Sequence, residues 1–270
     1  MRISVNGSEC YAYTGSRPMD PAQPTLVFVH GAAHDHSVWA LQSRYFAHHG
    51  FNVLAVDLPA HGRSAGAALA TVEAIADWIP QLLDAAGVAQ AALVGHSLGS
   101  LVVLACAARH PERIGRIALL GPSAPMLVSD ELLAAARDDE HLAYELIVGW
   151  SISGAKQLCG NAVPGMWMTG SALWLMERTR PGVLHADLMA CQSYGNGLVD
   201  AAAVRCPVLA VLGTRDLMTP VKGARALLDA LANARTVTLA STGGRPGETL
   251  DAGSSSRDEA AAAKPDAKPE

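Results

Sequence analysis

A serine stands in a setting that favours nucleophilic chemistry within the sequence Gly-His-Ser-Leu-Gly, which runs from Gly95 to Gly99. An apolar run at 91–94 precedes this sequence, and a helix-like apolar run at 101–108 follows it. Strand, sharp turn and helix in this order make G-x-S-x-G a nucleophile elbow, in which the serine hydroxyl stands above the sheet. The two flanking glycines are then needed, because a Cβ at either one would block the close approach of strand and helix. We therefore predict that Ser97 lies at a strained turn.

The backbone beside this serine offers one further chemical group. The N–H of Leu98 lies at the predicted helix N-terminus, where it can stabilise an oxyanion. A coincidental glycine-rich turn is the alternative interpretation of the motif. A phosphate loop is excluded, because the lysine and Ser/Thr of G-x-x-x-x-G-K-[ST] are lacking. His34 and His36 with Asp35 are too few to make a metal site, so we expect neither a metal nor a cofactor.

The elements that must position the serine alternate between strands and helices. Strands are predicted at 2–5, 9–13, 25–29, 52–56, 91–94, 116–120, 208–213 and 236–239, and helices at about 39–48, 69–86, 101–108 and 221–231. Asn6-Gly7 is a hairpin turn signal between the first two strands. Alternation of this kind predicts an α/β fold with a doubly wound, mostly parallel sheet.

Residues 122–204 interrupt this alternation. They are helix-like and rich in Met and Trp, and they contain no convincing strand. We interpret them as a helical cap, inserted after the sixth strand and folded over the serine. The large apolar side chains concerned are Trp150, Met166, Trp167, Met168, Trp174, Met176 and Met189. Most of them should form the cap's own core, and a few should face the cleft below it.

The composition of the chain limits the kinds of partner that we expect for the protein. The chain has 270 residues and a formal net charge of −5, without basic runs, so we expect no nucleic-acid partner. No apolar stretch is long enough to span a membrane. The N-terminus has no signal-like apolar region, and the five cysteines show no paired spacing, so we expect a cytoplasmic protein. The expected partner is a small-molecule substrate.

With these motifs the chain, from about 25 to 239, resembles the α/β-hydrolase fold superfamily. It is most similar to the capped esterase and haloperoxidase-like branch. The resemblance rests on His30-Gly31 with Trp39 downstream, on Asp57-Leu58-Pro59-Ala60-His61-Gly62-Arg63-Ser64, and on Gly95-His96-Ser97-Leu98-Gly99. Dehalogenases and epoxide hydrolases of the superfamily carry Asp at the elbow, so a serine there favours ester or related acyl chemistry.

The resemblance implies roles for single residues. Ser97 would be the nucleophile that forms an acyl-enzyme. The N–H groups of Leu98 and Ala32 would form the oxyanion hole. His30 would brace the loop that carries Ala32, and it would not transfer protons. Asp216, which follows the seventh strand, would be the acid that orients a base. The alternative role for Asp216 is an N-cap of the next helix.

The resemblance also implies a histidine base in the loop after the last strand. No histidine follows His185 in the sequence. Three upstream histidines, on loops near the mouth of the cleft, are the substitutes to consider: His34, His36 and His61. Each of them has a plainer interpretation as a polar loop residue.

The sequence changes character after Leu239. We expect a hydrolase domain at 1–240 and a low-complexity, disordered tail at 241–270. A reading-frame shift produces an abrupt change of this kind. The histidine base and the final helix, which covers one face of the sheet in the family, are then both missing from this sequence. We therefore expect an uncovered sheet face through which the chain self-associates.

Three functions remain open from the sequence. The first is a serine hydrolase for a small, largely apolar carboxylic ester or acyl substrate, impaired by the absent base. The second is a non-catalytic pseudo-hydrolase that binds a small molecule in the same cleft. The third is a cofactor-free haloperoxidase or perhydrolase, which uses the same residues.

Overall fold

One eight-stranded sheet forms the centre of the protein in a computed structural model that describes residues 1–152, 154, 157 and 167–239. The strands are β1 (Arg2–Val5), β2 (Ser8–Tyr13), β3 (Thr25–Val29), β4 (Asn52–Val56), β5 (Ala91–His96), β6 (Ile114–Leu120), β7 (Val208–Gly213) and β8 (Ala234–Leu239). Their order across the sheet is β1-β2-β4-β3-β5-β6-β7-β8. The pairs β1–β2 and β2–β4 are antiparallel, and all the others are parallel. The predicted doubly wound α/β sheet is confirmed.

Helices cover this sheet and form the cap. They are α1 (Ala40–Ala47), α2 (Val72–Ala85), α3 (Leu98–Arg109), α4 (Asp130–Asp138), α5 (Glu140–Ser151), α6 (Met168–Glu177), α7 (Val183–Ser193), α8 (Gly197–Ala203) and α9 (Val221–Ala230). A 3₁₀ turn at His36–Trp39 leads into α1. None of the helices in the described ranges has the length and apolar character that crossing a membrane requires.

The central strands are apolar on both faces because both faces are packed. Every residue of β3 and of β4 is buried, as expected for parallel strands between two helical layers. On one face, α2, α3 and α8 enclose the main core, with Leu54, Leu93 and Leu104 at its centre. On the other face, Phe28 packs against Trp39 with ring centroids 5.0 Å apart.

The cap lies between β6 and β7 and has a core of its own. Helices α4 to α7 contribute the buried side chains of this core, chiefly Leu132, Ala136, Tyr144, Met176, Leu184 and Leu188. Residues of α8 do not join them, since Ala201 is part of the main core. The cap described by its packing is therefore narrower than the predicted range 122–204.

Two cap tryptophans are more exposed than predicted. Trp167 is 66% exposed and Trp174 is 62% exposed, while Met189 is 40% exposed. Trp150, by contrast, is partly buried and packs against the cap core. Trp174 instead lies under the guanidinium group of Arg178, which is 4.7 Å from the ring centroid. Met166 lies outside the described residues.

One face of the sheet edge formed by β7 and β8 is poorly covered. Leu209 is 37% exposed, and Val211, Val237 and Leu239 on the same face are only half-buried. The alternate residues Val208, Ala210 and Leu212 face the main core and are buried. Strand β7 is therefore packed on one side and partly open on the other. On β8, the residues that share the packed side of β7 are exposed as well: Ala234, Thr236 and Thr238. The predicted tail at 241–270 lies outside the described residues.

Candidate active site

Ser97 lies at the sharp turn between β5 and α3. Its φ is 52° and its ψ is −119°, a conformation that residues other than glycine rarely adopt. Its N–H donates to the carbonyl of Leu120 at 3.0 Å, and its carbonyl accepts from the Ser100 N–H at 2.8 Å and from the Ser100 hydroxyl at 2.6 Å. These bonds hold the strained turn from both sides.

The glycines on either side of the turn allow the helix to pass close over the strands. A Cβ on Gly95 would lie 2.0 Å from the carbonyl oxygen of Gly99. A Cβ on Gly99 would lie 2.3 Å from the carbonyl oxygen of Val29 and 2.7 Å from that of His30. Such distances are far below van der Waals contact, so no larger residue fits at either position without displacing the backbone.

His30 braces the loop that follows β3. Its Nδ1 contacts the carbonyl of Gly31 at 2.8 Å, and its Nε2 accepts from the Leu58 N–H at 3.2 Å. Because a carbonyl oxygen only accepts, Nδ1 carries the proton and the ring is neutral. Burial, together with the nearby ring of His61, lowers the pKa of His30 to about 4. His30 is not among the described residues that line the cavity beside Ser97.

Acid is expected to destabilise the protein through His30. Its pKa is about 4 in the folded state and about 6.5 in the unfolded chain. Below pH 6.5 the unfolded state therefore binds a proton that the folded state does not, and the free energy of unfolding falls by up to about 3 kcal/mol at pH 4. Urea denaturation between pH 7 and pH 4 measures this loss. His30→Asn should make the free energy of unfolding depend less on pH, and the variant of an exposed histidine, His49→Asn, should leave that dependence unchanged. The same pH dependence in the parent and both variants would contradict the role given to His30.

The two backbone donors implied for an oxyanion hole lie close to Ser97. Gly31 packs against the serine, since a Cβ there would lie 3.4 Å from the Ser97 Cβ. Ala32, the next residue, lines the same cavity as Ser97. Leu98 is the first residue of α3, where N–H groups have no partner within the helix. In the described part of the chain, neither the Ala32 N–H nor the Leu98 N–H is bonded to another group.

A cavity of about 330 Å³ opens between Ser97 and the cap. Most of its wall is apolar and comes from the cap, including Leu132, Ile147, Met176 and Leu188. Glu131, which is exposed, is the one carboxylate among the described lining residues. A serine below an apolar roof suits a neutral substrate with a small hydrocarbon part.

Asp216 is buried in the loop after β7. Its Oδ1 accepts from the N–H groups of Met218 at 2.9 Å and Thr219 at 2.8 Å. Its Oδ2 accepts from the Thr219 hydroxyl at 2.7 Å, and Thr219 itself lines the cavity. Helix α9 begins at Val221 with Pro220 as its N-cap, so Asp216 does not cap it. No histidine of the described residues hydrogen-bonds to Asp216.

Two of the three histidines considered as bases are engaged away from the cavity. His36 Nδ1 lies 2.7 Å from Asp57 Oδ1. His61 is buried, and its Nε2 lies 2.9 Å from Asp187 Oδ2. Asp187 belongs to the cap, 126 positions along the chain from His61. No local sequence pattern announces a contact between residues so far apart.

His34 is the member of the three that lines the cavity together with Ser97. Its Nδ1 lies 2.6 Å from the carbonyl of Ala32. Since that oxygen only accepts, Nδ1 carries a proton. Of the three histidines, His34 therefore has the location that a base for Ser97 would need.

One group of residues has ligand atoms close enough together to hold a metal ion. Candidate ligand atoms of Asp35, His36 and Asp57 lie within 4.8 Å of one another. The same atoms already take part in hydrogen bonds: Asp35 Oδ1 accepts from the Ser37 N–H at 2.8 Å, and Asp57 Oδ1 accepts from the His36 N–H at 2.7 Å. This group is explained as a hydrogen-bonded loop junction.

Comparison with known proteins agrees with this geometry. Residues 24–147 match the family model of the alpha/beta hydrolase fold. Over 222 residues the chain is 31% identical to the pimeloyl-[acyl-carrier protein] methyl ester esterase of Chromobacterium violaceum, covering 78% of this chain and 83% of that protein. This chain belongs to the α/β-hydrolase family. The family and fold implied by the sequence motifs are thereby confirmed.

Two further relatives of this hydrolase extend over most of its length. An esterase of the same name from Aromatoleum aromaticum is 31% identical over 230 residues, covering 79% of this chain and 88% of that protein. The crystal structure of the enol-lactonase from Burkholderia xenovorans LB400 matches with a TM-score of 0.78 and 25% identity, covering 90% of this chain and 92% of that one. Hydrolases and esterases are thus its relatives both in sequence and in structure.

Proposed function

We propose that this hydrolase acts on a small, largely apolar carboxylic ester or related acyl substrate through an acyl-enzyme on Ser97. We further propose that the absence of a histidine after β8 impairs it. The observation that carries the proposal is a strained serine at the floor of an apolar cavity, beside two N–H groups without partners among the described residues. The relatives named as methyl ester esterases support an ester as substrate.

The chemistry follows from these groups. The Ser97 hydroxyl oxygen attacks the carbonyl carbon, and its proton leaves to a base or to water. The N–H groups of Ala32 and Leu98 donate to the oxygen that becomes negative, each contributing about 3 kcal/mol to the transition state in comparable sites. The alcohol departs with a proton, and water then releases the acid from the serine. Asp216 would orient and stabilise a protonated base.

A non-catalytic binding protein is the second candidate. It is favoured by the absence of any histidine beyond His185, and by the bonding of Asp216 to its own loop. A series of p-nitrophenyl esters of increasing acyl length separates the two candidates. A hydrolase should show a maximum of turnover at a chain length set by the cavity of about 330 Å³. A rate equal to that of buffer at every length would support the binding protein and contradict our proposal.

The cavity is expected to prefer neutral acyl chains. Its described lining contains one carboxylate, Glu131, and no lysine or arginine to pair with an anion. In a Ser97→Ala protein, methyl hexanoate should bind at least about fivefold more tightly than monomethyl adipate, which is a chain of equal length with a charged end. Competition against a fluorescent ligand measures both affinities. Glu131→Gln should reduce the difference between the affinities for methyl hexanoate and monomethyl adipate. Equal or tighter binding of monomethyl adipate would contradict the prediction.

A further inference from the structure

We propose that the cap positions the oxyanion hole, with Asp187 and Thr179 clamping the backbone of Ala33 and His61 holding Asp187 in place. The inference rests on the proposed function, because it assigns positioning residues to the oxyanion donor at Ala32. In this proposal the cap and the loop after β3 move together, so that displacement of the cap also displaces the Ala32 N–H from the space beside Ser97.

Ala33 is the residue that the clamp holds. Its φ is 52°, a left-handed conformation that is strained for a residue with a Cβ. Its N–H donates to Asp187 Oδ2 at 2.9 Å, and its carbonyl accepts from the Thr179 hydroxyl at 3.0 Å. Its methyl group is fully buried in the core of the cap, whose other buried members all come from residues 132–188. Two hydrogen bonds and one apolar contact thus fix a strained residue to the cap.

The clamp acts on the peptide that follows the proposed oxyanion donor. The peptide group that joins Ala32 to Ala33 is planar, and both of its polar atoms are held. Its oxygen contacts His34 Nδ1 at 2.6 Å, and its N–H is bound by Asp187. The Ala32 N–H belongs to the preceding peptide, whose oxygen on Gly31 contacts His30 Nδ1 at 2.8 Å and accepts from the His34 N–H at 3.3 Å. The peptides on both sides of Ala32 are thus held, the second of them by the cap, and this limits how far the Ala32 N–H can turn.

Asp187 stays in place because it has a buried cationic partner. Asp187 is 1% exposed and His61 is 2% exposed. His61 Nδ1 lies 3.0 Å from the carbonyl of Pro59, and His61 Nε2 lies 2.9 Å from Asp187 Oδ2. Both nitrogens face atoms that only accept, so both carry protons and the ring is an imidazolium. The pairing with His61 offsets the cost of burying the carboxylate, and the same oxygen, Asp187 Oδ2, accepts from the Ala33 N–H.

The ionisation of His61 makes the clamp depend on pH. Burial lowers the pKa of His61, but Asp187 outweighs it, so that the net pKa is raised. The other titratable groups facing the ring are His30, with centroids 4.8 Å apart, and Asp57. As pH rises through this raised pKa, one ring nitrogen becomes an acceptor facing an oxygen, and the clamp loosens. The clamp is complete below about pH 6.5 and weakens in alkali.

Hydrogen exchange of the Ala33 amide, followed by NMR, tests the clamp. Its protection factor should fall about 10-fold or more in Asp187→Ala, because a hydrogen bond to a buried carboxylate is lost. Thr179→Val should lower it less, and the matched control Thr169→Val should not change it. The buried Thr169 hydroxyl has no hydrogen-bond partner in the described part of the chain. Asp187→Asn keeps an acceptor for Ala33. It is the variant to measure if Asp187→Ala does not fold.

Two further readouts separate the clamp from general stability and from the proposed function. Protection at Ala33 should decline from pH 6 to pH 9 in the parent, and it should not do so in Asp187→Asn. Where esters are turned over, Asp187→Ala and Thr179→Val should lower kcat at least about 10-fold, with KM unchanged within about twofold. Unchanged protection in Asp187→Ala, or lost protection with unchanged kcat, would overturn the inference. Absent turnover would overturn the proposed function alone, since the exchange data still decide the clamp.

Discussion

Hydrolysis of p-nitrophenyl butyrate is expected to be slow, and Ser97→Ala is expected to lower this slow rate at least about tenfold further, toward the rate in buffer. A catalytic triad acts as a unit, so the absence of its base alone already removes most of the rate, and the proposed acyl-enzyme on Ser97 carries what remains. The remaining rate, about 10³–10⁴-fold above that of water, comes from binding and the oxyanion hole. Initial rates of both proteins at neutral pH measure the difference directly.

Added imidazole is the matched control for this expectation. A small base that enters the cavity should restore proton transfer, so the rate should rise with imidazole in the parent and not in Ser97→Ala beyond the reaction in buffer. Ordinary esterase turnover that Ser97→Ala abolishes would contradict the proposed impairment. In that case the location of His34 on the cavity makes His34→Ala the variant that identifies the base.

The chain is expected to self-associate through the open face of β7 and β8. Leu209 is 37% exposed, and Val211 and Val237 beside it are half-buried. An apolar area of a few hundred Å² left in water forfeits several kcal/mol at about 25 cal/mol per Å², against a total stability of about 5–15 kcal/mol. Sedimentation velocity should therefore show oligomers at micromolar concentration, and the protein should bind a hydrophobic dye.

A pair of lysine variants locates this association. Leu209→Lys places a charge in the open face and should shift the protein toward monomer and weaken dye binding. Val199→Lys replaces an exposed residue on α8, away from that face, and should change neither. A monodisperse parent that melts cooperatively above about 60 °C would contradict the prediction.

The parts of the fold that follow from short sequence patterns could be predicted. The apolar runs of β3, β4 and β5 mark strands packed on both faces, and Gly95 and Gly99 mark the close approach of helix and strand. The alternation of Val237 and Leu239 predicts a face that needs cover, and in the structure both side chains are half-buried. In each case the physical cause lies within a few neighbouring residues.

The remainder depends on contacts between distant parts of the chain. Nothing beside Asp187 or His61 in the sequence indicates that they meet, and the left-handed conformation of Ala33 depends on both cap residues that hold it. The exposure of Trp167 and Trp174 likewise depends on how the cap helices fill their own core. Asp216 is proposed as the acid from its place after β7, and its hydrogen bonds in the structure are set by the turn that the loop adopts.

Acylation of Ser97 tests the central proposal most directly. The protein is incubated with excess p-nitrophenyl acetate, digested, and analysed by mass spectrometry, with Ser97→Ala as control. We predict one acetyl group on the peptide that contains Ser97. It should accumulate over time, because its hydrolysis lacks the same base as its formation. An unmodified Ser97 in a protein that has released many equivalents of p-nitrophenol, or equal acetylation of both proteins at other residues, would contradict the proposal.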